Sequence, residues 1–528
     1  MKNVLISDEM SPRAVDRFRA EDGVKADYRP GLAEAELLEV VGRYEGLVVR
    51  SATKVTANVI EAGARLQVIG RAGTGLDNVD LEAATRRGVV VMNVPGGNTV
   101  SAAEHTLALM LALARGVPAA DRSMRAGRWE RGRFVGSEME GKTLGIVGLG
   151  RVGREVAARA AAFGMQVIAH DPFVSAEDAR RASVAFLPLD ELLARADFVT
   201  LHTPLTPETH HMLGEREIAA MRPGARLINC ARGELVDEAA LARALESGRL
   251  AGAALDVYQK EPPPADFPFR GMEQVVMTPH LAASTAEAQD KVAMLIAEQV
   301  CDFLRDGVAR NAANVISMDP RLRERAAPYL ELAETLGRFQ AQVIEGRLRE
   351  VTVECSGDVP DEALPAVTVA VLKGCFERFL SAPVNAVNAA WIAKERGVGL
   401  REVRTREPHD YQNLVTTVFE SDVRTRTIGG TVFGRNIPRI VTLDGFRFDA
   451  LPRGTLLLVS NDDRPGIVGR VGTLLGESQV NIAHMSLGRD RAGGQAIAAI
   501  SIDTPLPDGV LRQLEQSPGI LWVRTVTL

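Results

Sequence analysis

The chain reads as an α/β protein with two doubly wound, Rossmann-like units, followed by an α+β unit and a small ferredoxin-like βαββαβ unit. Three observations predict this. Short β-branched runs alternate with helical stretches from Met1 to about Leu281, the mark of parallel sheets. A glycine-rich turn, Gly148-Leu149-Gly150-Arg151-Val152-Gly153, falls between a strand and a helix midway through that alternation. Beyond about Asn314 the pattern changes, and the last 75 residues run strand, helix, strand, strand, helix, strand.

Taken in order, residues 3–6, 46–49, 66–69 and 89–92 are strands of the first unit, with a helix over 56–64. Residues 102–114 (AAEHTLALMLALA) form a helix whose polar face is too narrow for the surface, so it is buried between domains or subunits. The second alternating region runs from Lys142 to about Leu281. A helix over 285–305 then returns the chain to the first unit. The expected domains are therefore 1–97 with 284–314, the inserted 98–283, then 315–453 and 454–528. In the third, residues 321–345 read as a long amphipathic helix, a helical Ala-rich stretch continues to about Glu395, and strands follow over 414–419, 423–428 and 439–443. The last unit has strands at 455–460, 481–487, 496–502 and 521–527, with helices at 467–475 and 509–516.

The 528 residues suit three or four domains at roughly 100 to 200 residues each. A net charge of −6 offers no global attraction to nucleic acid or an anionic membrane. Cys230, Cys301, Cys355 and Cys375 are far apart and form no CxxC pair, so they read as reduced thiols and no metal site is expected. The start, Met1 to Asp8, places an acid where a leader peptide would stay apolar, and no apolar run nears a membrane span of about 18 residues. A cytoplasmic protein is expected.

Residues 142–147 form the apolar strand before the glycine-rich turn, and Val152, Val156 and Ala160 line one face of the helix after it. A second strand, 166–169, leads to Asp171. Such an acid accepts bonds from ribose hydroxyls and repels a 2′-phosphate, so the expected cofactor is NAD. The glycines admit the pyrophosphate to a helix N-terminus. Three further strands lead to Arg232, Glu261 and His280. The carboxyl ends of parallel strands share one edge, so these residues can converge. Their chemistry suits oxidation of a hydroxy acid: His280 as base, Glu261 to orient the imidazole and raise its pKa, Arg232 to grip a carboxylate. Arg50 and Arg71 each follow an apolar strand, and two guanidiniums there suit a phosphate. The other seven histidines read as structural, although His202 adjoins the turn at Thr203-Pro204.

The segments RAGTGLDNVD, NTVSAAEHTLALMLALAR, LGIVGLGRVGREVA, HTPLTPET, NCARGELVDEAAL, AGAALDVYQKEPP and TPHLAAST resemble the D-isomer-specific 2-hydroxyacid dehydrogenases. The resemblance implies catalytic roles for Arg232, Glu261 and His280. It implies NAD contacts at Thr74, Gly148, Gly150, Arg151, Val152, Gly153, Asp171, Thr203, Cys230, Ala231, Arg232, Asp256, His280 and Ala283. In the members that oxidise 3-phosphoglycerate, the segments holding Arg50, Arg71, Gly73 and Asn98 contact the substrate together with Arg232 and His280. The alternatives are reduction of glyoxylate or 2-oxoglutarate, or a non-catalytic NAD sensor. The basic and aromatic stretch Arg125, Arg128, Trp129, Arg131, Arg133 is too short for a nucleic-acid site. In the family it follows a dimerisation helix, which implies a dimer through the NAD domains and a tetramer overall. Residues 315–452 resemble the intervening domain of long members. Its Arg424, Arg426, Arg435 and Arg439 read as a solvated face in preference to an anion site. The tail resembles an ACT domain through Asp463-Arg464-Pro465-Gly466 and Val480-Asn481-Ile482, which implies L-serine as effector at Asp463 and Asn481.

Overall fold

The computed structural model describes residues 1–174, 184–380, 383–406, 410–434 and 436–528. The first sheet is wholly parallel, in the order β2-β1-β3-β4-β5, from β1 (Lys2–Ile6), β2 (Val24–Tyr28), β3 (Gly46–Val49), β4 (Val68–Arg71) and β5 (Val90–Met92). Alternation sends Val4 and Ile6 to one face, under helices Pro12–Arg19 and Ala286–Asp306, and Leu5 to the other, among Leu37, Val59 and Ile60. Helix Ala286–Asp306 presses close: a Cβ at Gly70 would lie 2.6 Å from Val300 Cγ2. The segment after it lies along β5, where Asn314 Nδ2 donates to Val89 O and its Oδ1 accepts from Val91 N. β2 lies outside the strands read from the sequence, since only Val24 among its residues is buried.

The second sheet, also parallel, runs β12-β11-β10-β9-β6-β7-β8. Its strands are β6 (Thr143–Val147), β7 (Gln166–His170), β8 (Ala185–Phe186), β9 (Phe198–Leu201), β10 (Arg226–Asn229), β11 (Gly252–Leu255) and β12 (Val275–Met277). Two parallel sheets with helices on both faces are the doubly wound architecture expected from the alternation. Helix Thr99–Arg115 packs against Arg151–Ala162 and the sheet through Ala103, Leu107 and Met110.

The third sheet is mixed, β14-β13-β15-β16-β17-β18, built from β13 (Leu348–Gly357), β14 (Gly399–Thr405), β15 (Asn413–Ser421), β16 (Thr425–Phe433), β17 (Ile437–Leu443) and β18 (Phe446–Ala450). Helices Pro320–Val343 and Leu364–Phe379 cover it, meeting where Gly337 faces Val371 O and Gly374 faces Glu334 O. The helical stretch expected to about Glu395 is wrong over 348–357. β13 is a central strand, and its Val351, Val353 and Cys355 alternate into the core with period two. The solvated arginine face holds for exposed Arg424, which pairs with Glu345, and is corrected at Arg426, which is 5% exposed, paired with Asp444 and stacked 5.1 Å over Trp522; Arg439 is half-buried and pairs with Asp449. Arg435 lies outside the described residues.

The fourth sheet, β20-β21-β19-β22, comprises β19 (Thr455–Asp462), β20 (Ile482–Arg489), β21 (Gln495–Ile502) and β22 (Ile520–Thr527) in the βαββαβ order read from the sequence. Both of its faces are covered. Leu457, Val459, Ala498 and Ile500 pack under this unit's own helices, while Leu456, Leu458, Ile497, Ala499 and Val526 join the core of the third sheet. Gln342 exchanges two bonds with the backbone of Thr527, and Gly488 lets Arg447 O approach to 2.2 Å of where a Cβ would be. Among the described residues, no helix is long and apolar enough to cross a membrane.

Candidate active site

At the carboxyl edge of the second sheet, β10 ends in Asn229. Its side-chain oxygen accepts Ala231 N–H at 3.1 Å and its amide donates to Arg232 O at 2.8 Å, which fixes the turn that presents Arg232. β11 runs into Asp256, whose carboxylate is fully buried. It accepts Thr278 Oγ1 at 2.6 Å and the N–H groups of Leu281 and Ala282 at 2.7 and 2.9 Å, and it stands 3.1 Å from His105 Nε2. Residues 278–282, after β12, are thereby wrapped around one carboxylate. His280 sits within that turn at φ 55°, a conformation uncommon without glycine, and its N–H donates to Asp256 O at 2.9 Å.

His280 Nδ1 lies 2.8 Å from Glu261 Oε2. That bond raises the imidazole pKa above its ordinary value, against the opposing effect of burial. Burial pushes the Glu261 carboxyl up, but the bond and charge of His280 and the N–H of Tyr258 outweigh it and hold the carboxyl below its usual range. Burial likewise opposes ionisation of Asp256, and its donors again win. Two neighbours are different. His202 is driven to about 4 by burial, and Cys230 is pushed up to about 12, so one is a neutral imidazole and the other an inert thiol.

The glycine-rich turn fits a dinucleotide. Gly148, at φ 95°, lies so near the His202 carbonyl that a Cβ would stand 2.8 Å from it, and a Cβ at Gly153 would be 2.2 Å from Gly148 O. Gly150, at the N-cap of helix Arg151–Ala162, has open space where a Cβ would be, which leaves the helix N-terminus approachable. Asp171 accepts from Leu149 N at 2.8 Å and so stands beside the turn. The Thr203 methyl faces Gly148, the Arg151 chain reaches Gly96, and Val152 is partly buried against the core of this sheet. Thr74 Oγ1 donates to Asn98 Oδ1 at 2.8 Å, tying a loop of the first sheet to the start of helix Thr99–Arg115. Ala231 O accepts Arg232 Nη1, and Ala283 follows the His280 turn.

The first sheet presents cations to this edge. Arg71 ends β4 with its Nε buried and without a partner among the described residues, its guanidinium lying so close over Gly73 that a Cβ there would be 1.6 Å from Nη1. Burial lowers its pKa; the charge of Asp77 opposes this, and those of Arg232 and Arg50 add to it. Arg50 follows β3; its Nη1 donates to Glu9 O at 3.1 Å, and buried Asp8 holds its backbone N–H. Asp77 Oδ2 reaches Arg232 Nη2 at 3.2 Å and joins the two edges. Sequence reasoning did not single out Asp77, Asp8, His105 or Thr278. The segments RAGTGLDNVD and NTVSAAEH contain two of them, but nothing in spacing marked those positions.

In the tail, Asp463 neither caps helix Ile467–Glu477 nor stands free: its Oδ2 accepts Gly493 N at 3.0 Å and Arg489 Nη1 at 3.4 Å. Asn481 Nδ2 donates to Asp503 at 2.6 Å. The two expected effector residues thus lie on separate hydrogen-bonded turns of one chain.

Residues 107–282 match the model of the D-isomer specific 2-hydroxyacid dehydrogenase NAD binding domain, 325–444 that of the D-3-phosphoglycerate dehydrogenase intervening domain, and 455–519 that of the ACT domain. Fold, site and match define an NAD-dependent oxidoreductase of the D-isomer-specific 2-hydroxyacid class. The D-3-phosphoglycerate dehydrogenase of Archaeoglobus fulgidus is 44% identical over 98% of each chain, and that of a Synechocystis strain 43% identical over 100% of this chain and 95% of its own. The chain belongs to the D-3-phosphoglycerate dehydrogenase family. Among solved structures, the TT0316 protein of Thermus thermophilus is similar with a TM-score of 0.55 at 39% identity, covering 59% of this chain and 99% of its own.

Proposed function

We propose that this chain oxidises 3-phospho-D-glycerate to 3-phosphohydroxypyruvate, the first step of L-serine biosynthesis. NAD, when bound along the glycine-rich turn and Asp171, supplies the hydride acceptor. The observation that carries the reading is the His280–Glu261 pair at 2.8 Å beside Arg232, faced by Arg71 with an unpartnered Nε. A carboxylate against Nδ1 keeps the proton on that nitrogen, so Nε2 is left to accept the substrate's hydroxyl proton. The imidazolium so formed is stabilised by Glu261. Arg232 holds the substrate carboxylate, Arg71 and Arg50 its phosphate, and Gly73 with Asn98 borders the remaining backbone of the ligand. Thr74, Cys230, Ala231 and Ala283 border the nicotinamide end, and buried Asp256 acts on it through the 278–282 turn that it holds.

The 1–97 with 284–314 unit carries substrate recognition, 98–283 the cofactor, 315–453 the intervening unit and 454–528 regulation by L-serine, bound between paired tails near Asp463 and Asn481. A cytoplasmic homotetramer, dimeric through the NAD domains, completes the reading. The exposed arm after helix Val117–Arg125, with Trp129 80% exposed, supports a subunit contact there. One assay tests the whole: NADH formation from 3-phosphoglycerate against glyoxylate or 2-oxoglutarate reduction, each with and without serine. Turnover of the unphosphorylated acids alone, or no turnover at all, rejects the proposed substrate. Unchanged rates with serine reject the effector.

A further inference from the structure

We infer that the chain has a second ligand site, for an amphipathic anion, at the amino ends of the first sheet. A cavity of about 1000 Å³ opens there between that sheet and the helices of the third unit. Glu45, Gln67 and Val90, at the starts of β3, β4 and β5, line it, whereas Arg50 and Arg71 leave the opposite ends of those strands. A strand of four residues is about 13 Å long, so the cavity is separate from the catalytic cleft. Its size is that of sites for drug-sized ligands.

The far wall is one face of each of two helices: Leu330 and Glu334 on Pro320–Val343, and Val369, Ala370 and Lys373 on Leu364–Phe379. The three- and four-residue spacings put these side chains in rows along the cavity. Phe303, Val315 and Met318 give it an apolar floor.

Charge selects the ligand. Glu45 is paired with Arg65, and Glu334 with Lys373. Of the other charged groups that line the cavity, Lys2, Arg87 and Arg323 and the carboxylate of Glu331 have no ion-pair partner among the described residues, so positive charge is in excess. That excess of cations over Glu331 on an apolar cavity suits a carboxylate or phosphate carried on a hydrocarbon or aromatic body. Such a ligand touches both the sheet that carries Arg71 and the helices of the third unit. Asn385, whose Nδ2 donates to Gly88 O at 2.8 Å, already ties these parts beside the cavity. Binding there therefore couples to the position of the substrate sheet.

The test is calorimetry of the full chain with dodecanoate and with dodecyl phosphate, alongside acetate and inorganic phosphate as head groups alone. Saturable binding of the long-chain anions, one per chain, with none of the head groups, is expected. The double variant Arg87→Glu with Arg323→Glu should weaken it about tenfold or more, the worth of a lost charge-assisted contact. Ala370→Trp, which fills the cavity, should abolish it. Both variants should keep wild-type turnover without ligand. Absence of saturable binding at millimolar dodecanoate and dodecyl phosphate, or equal binding by the double variant, overturns the inference. Tighter binding of dodecyl phosphate than dodecanoate would assign the head group as a phosphate, and the reverse as a carboxylate. Because binding is read directly, failure of this site and failure of the proposed oxidation are separate outcomes.

Discussion

The two parallel sheets present the same kind of edge in opposite states. On the second, the groups that fix the geometry are engaged with one another: His280 Nδ1 with Glu261, Asp256 with three donors and His105, Asn229 with the Arg232 turn. On the first, the buried Arg71 Nε has no partner among the described residues and the Arg50 guanidinium rests on a backbone carbonyl. A satisfied edge holds its geometry before substrate arrives, which is what proton transfer needs. An edge with unspent donors gains most from an anion, which is what recognition needs. Rate should therefore respond to mutation on the second edge, and affinity on the first.

The largest effect is expected on the satisfied edge. His280→Ala should cost about two to four orders of magnitude in turnover with NAD affinity unchanged, read by steady-state kinetics and cofactor titration. Near-normal turnover would break the division of labour. On the other edge, Arg71→Ala should raise KM for 3-phosphoglycerate about ten- to a hundredfold, the equivalent of one lost charge-assisted contact, and barely alter KM for an unphosphorylated 2-hydroxy acid. Equal losses for both substrates would remove the phosphate from the role of Arg71.

Glu261→Gln sharpens the first half of the contrast, with a smaller loss of about tenfold. The Glu261 charge favours the imidazolium, so the neutral, proton-accepting form of His280 prevails only above a raised pKa, and oxidation declines as pH falls through it. Removing the charge lowers that pKa, so the acid limb of the kcat profile should move to lower pH. An unmoved limb would show that Glu261 does not set the histidine's titration. The smallest effect is expected far from either edge. Asp463→Ala, which frees Gly493 N and Arg489, should weaken the proposed inhibition by serine several-fold while leaving turnover without serine intact, measured on the full chain. Unaltered serine inhibition would remove Asp463 from the effector site.

The strands that end in Arg232, Glu261 and His280 were legible because a strand end and the residues after it are neighbours in sequence as well as in space. Gly148, Gly153 and Asp171 were legible for the same reason, all within one βαβ unit. Asp77 and His105 were not, because their partners come from another sheet or from a strand 151 residues away, and no local pattern encodes a partner. β13 was misread because Arg349, Glu350 and Glu354 are as good in a helix as on an exposed strand face; the buried alternation of Val351, Val353 and Cys355 was the signal that should have decided it. Arg426 looked like surface because a charged side chain usually is, and only Asp444 and Trp522 make its burial tolerable.

The sheet of the last unit has no spare face, and that bears on how such a protein can be rearranged by recombination. A break at residue 453 would strip cover from Leu456, Leu458, Ile497, Ala499 and Val526 on one side and leave a matching apolar wound on the third unit. Either fragment would then be prone to association with whatever apolar surface it met. A seam that keeps those two packed units together lies earlier, in residues 307–319, where the chain runs along the edge of β5 between two helices, though Val387 of the third unit still packs in the core of the first. A gene fusion or deletion that respects this physics moves the last two units as a single cassette.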